Sequence, residues 1–280
     1  MSNIIFKLSG ILSEQFGIRP KKLIRAILAL RWYLRDLFLF RRYFRGDILV
    51  SPCLHDRVEN VDVRKNEYFW QDLLVAHWIF LADPKKHVDV GSRLDGFVGH
   101  VASFRQLEVF DIRPPNISIP RVCFRQIDFM STDSVSSLIG EKLGYCDSVS
   151  CLHVLEHLGL GRYGDPVDCE GYKKGIKNLS KLLVNGGTLY LSTPIGRDRV
   201  EFNANYVFDP LRLVSLAREN WLCLVKCVVF TQDAGLIELN LSELESPLGQ
   251  FSRREYALAI MVLKKNYSSA ESSKSASEPF

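Results

Sequence analysis

The residues best equipped for chemistry stand in one short run, His153-Val154-Leu155-Glu156-His157. Two imidazoles and a carboxylate in the pattern H-x-x-E-H have two distinct uses. Wound into a helix, the histidines would share a face and hold zinc while Glu156 activated a bound water. That use needs the motif well inside a helix and a third ligand elsewhere. Here the run follows directly on an apolar, strand-like segment, 149–152, which puts His153 at the carboxyl edge of a sheet. Open α/β sheets hold their ligands at that edge. A zinc hydrolase stays as the minor alternative.

A second set lies upstream, in HVDVGSRLDGFVGHVASFRQLEVFDIRP, residues 87–114. An apolar run ends at Asp89-Val90 and breaks at Gly91; a polar loop then reaches Gly96, a helical stretch follows, and a second apolar run ends at Asp111. Strand, glycine turn, helix, strand and acid form the layout of a nucleotide-binding unit. Gly91 and Gly96 suit a tight turn close to a ligand. An acid about 20 residues beyond the first strand is placed to accept hydrogen bonds from a ribose diol, and Asp111 is 22 residues beyond Asp89. The loop is not a full dinucleotide signature, because Ser92, Arg93, Leu94 and Asp95 separate the two glycines. A third set, Gly159 to Pro166, spaces glycines among Arg162, Tyr163 and Asp165. It reads either as a plain surface loop or as a lid whose side chains reach an acceptor.

These groups need a scaffold, and the chain supplies one. Strand-like runs at 87–90, 107–110, 122–126, 147–152, 188–192, 223–230 and 256–263 alternate with helical stretches near 97–105, 132–142, 170–184 and 209–219. The alternation predicts an α/β fold, a doubly wound, seven-stranded, mostly parallel sheet. The last two runs are joined by a loop-like Ser246-Pro247-Leu248-Gly249, so they pair as a hairpin and the last strand is antiparallel. Residues 67–81 form a helix before the first strand, and Asn185-Gly186-Gly187 a turn. The domain plan is a basic helical extension (1–48), a Rossmann-like domain (49–265) and a polar, low-complexity tail (266–280) expected to be disordered.

At 280 residues, 47% hydrophobic and 24% charged, the chain can bury a core without staples. Seven cysteines with no C-x-x-C pair and no zinc-ribbon spacing point to reduced thiols, no metal site and a cytoplasmic setting. No secretory signal and no apolar stretch long enough to span a membrane are evident. The net charge of +4 is concentrated: residues 1–47 carry ten Lys and Arg against three acids. From Pro20 the apolar positions Leu23, Ile27, Leu30, Leu34 and Leu37 recur at helical steps as far as Phe40. That helix either packs on the main domain or rests on anionic lipid through residues 20–40, with Trp32, Tyr33 and Phe40 at headgroup depth. Without a nucleic-acid motif beside the charge, nucleic acid is not expected as a partner.

The seven-strand plan resembles the class I S-adenosylmethionine-dependent methyltransferases over residues 67–264. So do QIDF after the third strand, CDSVSCLHVLEHLG around the fourth, and SKLLVNGGTLYLSTP leading into the fifth. The segment LEHLGLGRYGDP is similar to the signature of an uncharacterised bacterial family, a domain of unknown function. The resemblance implies S-adenosyl-L-methionine as cofactor and a small-molecule acceptor, a hydroxyl of a sugar or a surface-polysaccharide precursor. Asp89, Gly91, Arg93, Gly96, Asp111 and Asp128 would hold the cofactor, with Asp128 near the adenine amine. Arg93 stands where most of that family has a second glycine. His153 becomes the general base with His157 beside it, and Arg162, Tyr163 and Asp165 bind the acceptor. The rival class is a non-catalytic binding or scaffold protein on the same fold.

Overall fold

The computed structural model describes residues 20–55, 57, 66–113, 117–140, 142–240 and 245–266. Residues 1–19 of the basic segment and the tail after Asn266 lie outside the described residues. The chain divides into two compact units between Asp62 and Val63.

The larger unit is built on strands β1 (His87–Val90), β2 (Leu107–Asp111), β3 (Val122–Gln126), β4 (Cys146–Leu152), β5 (Leu183–Ile195), β8 (Leu222–Thr231), β9 (Gly235–Glu238) and β10 (Ala257–Lys265). Their order is β3-β2-β1-β4-β5-β10-β8-β9. The first five run parallel; β10 inserts antiparallel between β5 and β8. All seven expected strands are present. The eighth, β9, turns back from β8 and adds to the edge. A separate ribbon, β6 (Arg199–Glu201) with β7 (Asn205–Val207), rises beside the carboxyl end of β5, where Ile195 bridges Phe208.

Period-two alternation sorts the side chains into two layers. In β10, Ala257, Ala259, Met261 and Leu263 enter one layer and Leu258, Ile260 and Val262 the other. The first layer is covered by α4 (Thr132–Ile139), α5 (Gly171–Leu182), α6 (Pro210–Glu219) and the short α7 (Glu245–Gly249) through Val135, Ile176, Leu179, Leu213, Val214 and Leu248. The second is covered by α2 (Glu67–Ala82), through Val75 and Ile79, and by a π-helical turn, Leu94–Val98, that runs into α3 (Gly99–Ala102). Asn66 caps α2 by accepting the amide N–H of Phe69, so Glu67 and Tyr68 are held in its first turn.

Asn185-Gly186-Gly187 is a bulge inside β5 rather than a turn before it. Leu183 pairs with Cys146 and Thr188 with Ser148, so the intervening residues loop out of register, with Gly186 at φ +76°.

The smaller unit contains α1, Pro20–Tyr43. It runs one turn further than its apolar period predicts. Arg41 and Arg42 complement the negative end of the helix dipole there, and Phe44 stacks on Phe40 with ring centres 5.2 Å apart.

Candidate functional site

Strands β1, β2 and β4 end on one cavity of about 670 Å³, a size ordinary for a small-ligand site. At the end of β1 the chain reverses at Gly91, where φ is +67° and a Cβ would meet the Val154 side chain at 3.1 Å. Glycine relieves both the left-handed backbone and the crowding. Arg93 lines the cavity, pairs with Asp95 at 2.7 Å and lies over the Tyr68 ring at 5.0 Å.

Two residues expected at the cofactor do not line the cavity. Asp89 is fully buried behind it and accepts hydrogen bonds from the Ser92 amide (3.0 Å), the Ser92 hydroxyl (2.7 Å) and the Ser150 hydroxyl (2.6 Å). Burial pushes its pKa up to about 6, against the pull of those donors. Its contact with the site is indirect, through the loop it ties down. Gly96 sits in the π-helical turn, where a Cβ would strike the Asp72 carboxylate of α2; it serves helix packing. Beneath the loop, His87 is enclosed with Ser148 at 2.8 Å and Ser150 at 3.1 Å, and burial lowers its pKa to about 3.

Asp111 closes β2 and lines the cavity. Its carboxylate accepts three bonds from Arg113, from the amide (2.8 Å), Nε (3.1 Å) and Nη2 (3.0 Å). Asp128 also lines the cavity, with Oδ1 accepting the Met130 amide at 2.9 Å.

At the end of β4, His153 takes φ +55°, uncommon for a histidine. Its amide is pinned to Ser192 of β5, and its Nδ1 stands 2.7 Å from Glu156 Oε1. Glu156 has no exposed surface and also accepts from Thr193 Oγ1 at 3.1 Å. Because the carboxylate can only accept, Nδ1 carries the proton and Nε2 holds the lone pair. Nε2 is buried and has no hydrogen-bond partner. Burial would lower the His153 pKa, but the charge and hydrogen bond of Glu156 together with the charges of Glu67 and Asp72 outweigh it, and the net shift is upward. Glu156 is correspondingly held low: burial would raise it, but the charge and hydrogen bond of His153 and the charge of His157 together outweigh that. The segment is a 3-10 turn, Leu155–His157, not a helix interior. His157 Nδ1 turns instead to the Ala204 carbonyl at 2.7 Å, and burial lowers its pKa. Glu156 is therefore enclosed rather than aimed at a metal-bound water. Among the described residues, no group of three His, Cys, Asp or Glu side chains is arranged to hold a metal ion.

The glycine-spaced loop closes one side. Asp165 faces inward and organises it, accepting the amides of Gly159 (2.9 Å), Gly161 (3.2 Å) and Tyr163 (3.1 Å). Tyr163 lies under the Arg113 and Arg162 guanidinium groups, at 4.5 and 5.2 Å. Gly91, Arg93, Asp111, Asp128, His153, His157, Arg162, Tyr163 and Asp165 thus line a single cavity.

Sequence reasoning missed three contributors to that wall: Glu67, Tyr68 and Tyr256. The Tyr256 hydroxyl donates to both Glu67 oxygens, at 2.9 and 3.0 Å, and Glu67 Oε1 lies 3.9 Å from His153 Nε2. Tyr68 packs its ring on His153 at 4.6 Å. Burial and the Glu67 charge raise the Tyr256 pKa strongly, so its phenol stays a donor. The only available signal was position: Glu67 opens a capped helix and Tyr256 immediately precedes the last strand.

Among solved structures, a 1,6-didemethyltoxoflavin-N1-methyltransferase from Burkholderia thailandensis, crystallised with its substrate and S-adenosylhomocysteine, is 15% identical; the match covers 80% of this chain and 94% of that one, with a TM-score of 0.50. The N-methyltransferase NodS from Bradyrhizobium japonicum, in complex with S-adenosyl-L-homocysteine, is 14% identical over 74% of this chain and 94% of its own, at 0.48. Together with the strand order, the first of these gives the fold as that of the class I methyltransferases. No curated protein matches. The family that matches, over residues 125–265, is one of unknown function, as expected in that coarser form, and its description is of Caenorhabditis rather than of bacteria. That match spans β3 to β10, and the chain belongs to the family described as "Caenorhabditis protein of unknown function, DUF268".

Proposed function

We propose that the protein is an S-adenosylmethionine-dependent methyltransferase acting on a hydroxyl of a sugar or a related small molecule. One observation carries the reading: a buried imidazole nitrogen without a partner, at the carboxyl edge of β4, in the cavity where the fold holds its ligands. The residues present fit the cofactor. Asp111, which closes β2, would accept from a ribose diol, Asp128 would take the adenine amine, and Gly91 would let the backbone approach the methionine portion; all three line the cavity.

Bound S-adenosylmethionine would supply the methyl group. Holding acceptor and methyl in line contributes most to such a displacement. The protein must also remove one proton. Nε2 of His153 accepts it from the acceptor hydroxyl, Glu156 stabilises the imidazolium, and a positioned base of this kind contributes about 10²–10⁴-fold. Glu67 Oε1 and His153 Nε2, 3.9 Å apart, are two hydrogen-bond acceptors facing one space. That pair suits a polyhydroxyl acceptor, whose neighbouring O–H groups are both donors. Arg162 and Tyr163 line the same space from the opposite loop.

One observation favours the second reading, a non-catalytic binding protein: the Asp111 carboxylate is already taken up by Arg113. Titration calorimetry with S-adenosylmethionine separates the two. Binding by the wild type, weakened about 30–150-fold in Asp111→Ala by the loss of a charge-assisted pair, supports the enzyme. A folded chain that binds neither S-adenosylmethionine nor its demethylated product is the scaffold protein. On hydroxyl acceptors, His153→Ala should lower turnover at least about 100-fold with cofactor affinity unchanged; normal turnover overturns the assignment of the base.

A further inference from the structure

The cavity does not use the smaller unit, and α1 presents there a surface of a different kind. On a helix of 3.6 residues per turn, Leu23, Ile27, Leu30, Leu34 and Phe38 fall on one stripe. Every one of them is exposed, Leu23 at 64%, Ile27 at 59%, Leu34 at 58% and Phe38 at 67%. The stripe is about 22 Å long at 1.5 Å per residue. Solvated single leucines are ordinary; a contiguous row of five marks an interaction surface. Ile24, Leu28 and Leu39 are exposed as well, at 59%, 70% and 46%, beyond one edge of the stripe. On the far side Ala29 is buried and Asp36 receives both Arg35 (2.7 Å) and Arg57 (3.1 Å), while Leu37 at the edge of the stripe and Tyr33 beyond it are half-buried. Trp32 and Tyr33, expected at headgroup depth, are half-buried and off the stripe, and Arg57 covers the Trp32 ring at 4.9 Å.

The charge beside the stripe selects the partner. Residues 20–47 carry eight Lys and Arg against Asp36 and Asp47, and Asp36 is spent on Arg35 and Arg57. Arg31 and Arg42 lie on one flank of the stripe and Arg41 extends its end; all three are exposed and have no carboxylate partner among the described residues. A protein partner with an apolar groove would be met by a row of leucines without this excess of one sign. A bilayer with anionic headgroups takes both, the stripe at the acyl boundary and the arginines snorkelling to phosphate. The charges also keep the helix on the surface, and no described helix is long and apolar enough to cross a membrane.

We propose that α1 docks the protein on an anionic lipid surface, with Leu23, Ile27, Leu30, Leu34 and Phe38 inserted and Arg31, Arg41 and Arg42 on the headgroups. The proposal stands independently of the enzyme reading. The test is flotation of the full-length chain with vesicles of phosphatidylcholine alone or mixed with phosphatidylserine, at low salt and at about 0.5 M salt, where screening acts within a few ångströms. The expected result is flotation with the mixed vesicles only, lost at high salt. Replacing Arg31, Arg41 and Arg42 together by Gln should weaken partitioning about 100-fold, since each basic residue contributes about fivefold. Leu34→Asp with Phe38→Asp should abolish it; circular dichroism and S-adenosylmethionine binding unchanged from wild type confirm that these variants are folded. No flotation of folded wild type with the anionic vesicles overturns the proposal, as does equal flotation with both vesicle types. Concentration-dependent dimerisation in lipid-free solution that the two aspartates abolish overturns it in favour of a second copy of this chain.

Discussion

The His153–Glu156 pair gives a prediction that can be checked before any acceptor is known. Glu156→Gln keeps the shape of the side chain and an oxygen able to accept from Nδ1–H, but removes the charge. With Nδ1 and Oε1 at 2.7 Å, the charge centres lie about 4 Å apart, and at an effective dielectric near 20 their attraction is about 4 kcal/mol. Glu67, 3.9 Å from Nε2, remains in the variant and retains part of the pull. The wild-type imidazole should therefore titrate above the ordinary histidine value of 6.5, and the variant below the wild type. The assay is a pH titration of the histidine ring resonances, six in the chain, with His153 assigned by its disappearance in His153→Ala. In the same spectra neutral His153 should show Nδ1 protonated. If activity follows, the rising limb of its pH profile moves to lower pH by the same interval, because the base acts only when unprotonated. A titration point that does not move, or that moves upward, refutes the pairing and with it the argument for a directed Nε2 lone pair.

Two further outcomes concern stability. His87 is fully enclosed and its pKa lies near 3 against 6.5 unfolded; its contribution is therefore present above pH 6.5 and is lost as pH falls. In urea melts His87→Gln should lose about 2 kcal/mol less than wild type between pH 7 and pH 5, with the opposite-signed titration of Asp89 common to both; parallel losses would contradict the enclosure. Gly91→Ala should destabilise by about 1–2 kcal/mol, because φ is +67° and Val154 stands 3.1 Å from the added methyl; an unchanged melting midpoint would show that the turn relaxes freely.

Much of this was legible in the residues themselves. Seven strands could be read from runs such as Val122–Gln126 and Cys223–Phe230, because a buried sheet demands continuous apolar or alternating patterns. The ends of β2 and β4 followed from where those runs stopped, and Asp111 and His153 followed with them. Asp89 was misplaced for a simple reason. It sits one residue before the end of β1, between Val88 and Val90, and the strand's alternation turns it into the protein instead of toward the cavity. Short strands escaped notice: Gly235–Glu238 gives three half-buried residues and an exposed Glu238 on an edge. Glu67 and Tyr256 escaped for another reason, since a contact across 189 residues of chain leaves no trace in local spacing. The bulge at Gly186 was seen as a glycine turn, correct in conformation and wrong in context. Inside one continuous β5 the looped-out residues let Leu183 and Thr188 both pair with β4.

The position of β10 bears on how the molecule comes into being. Ala257–Lys265 forms the middle rail between β5 and β8, bonded along its length to both. A ribosome that has made everything up to residue 250 has made seven strands of this sheet and still lacks their join. The nascent chain then holds two partial sheets, each offering a bare apolar edge of hydrogen-bonding groups. Closure waits for β10 to thread between β8 and the more distant β5, and pairing of that kind slows folding and prolongs the exposure of sticky edges. Closing this sheet thus waits on a single strand, and until β10 is in place its two neighbours belong to unclosed halves.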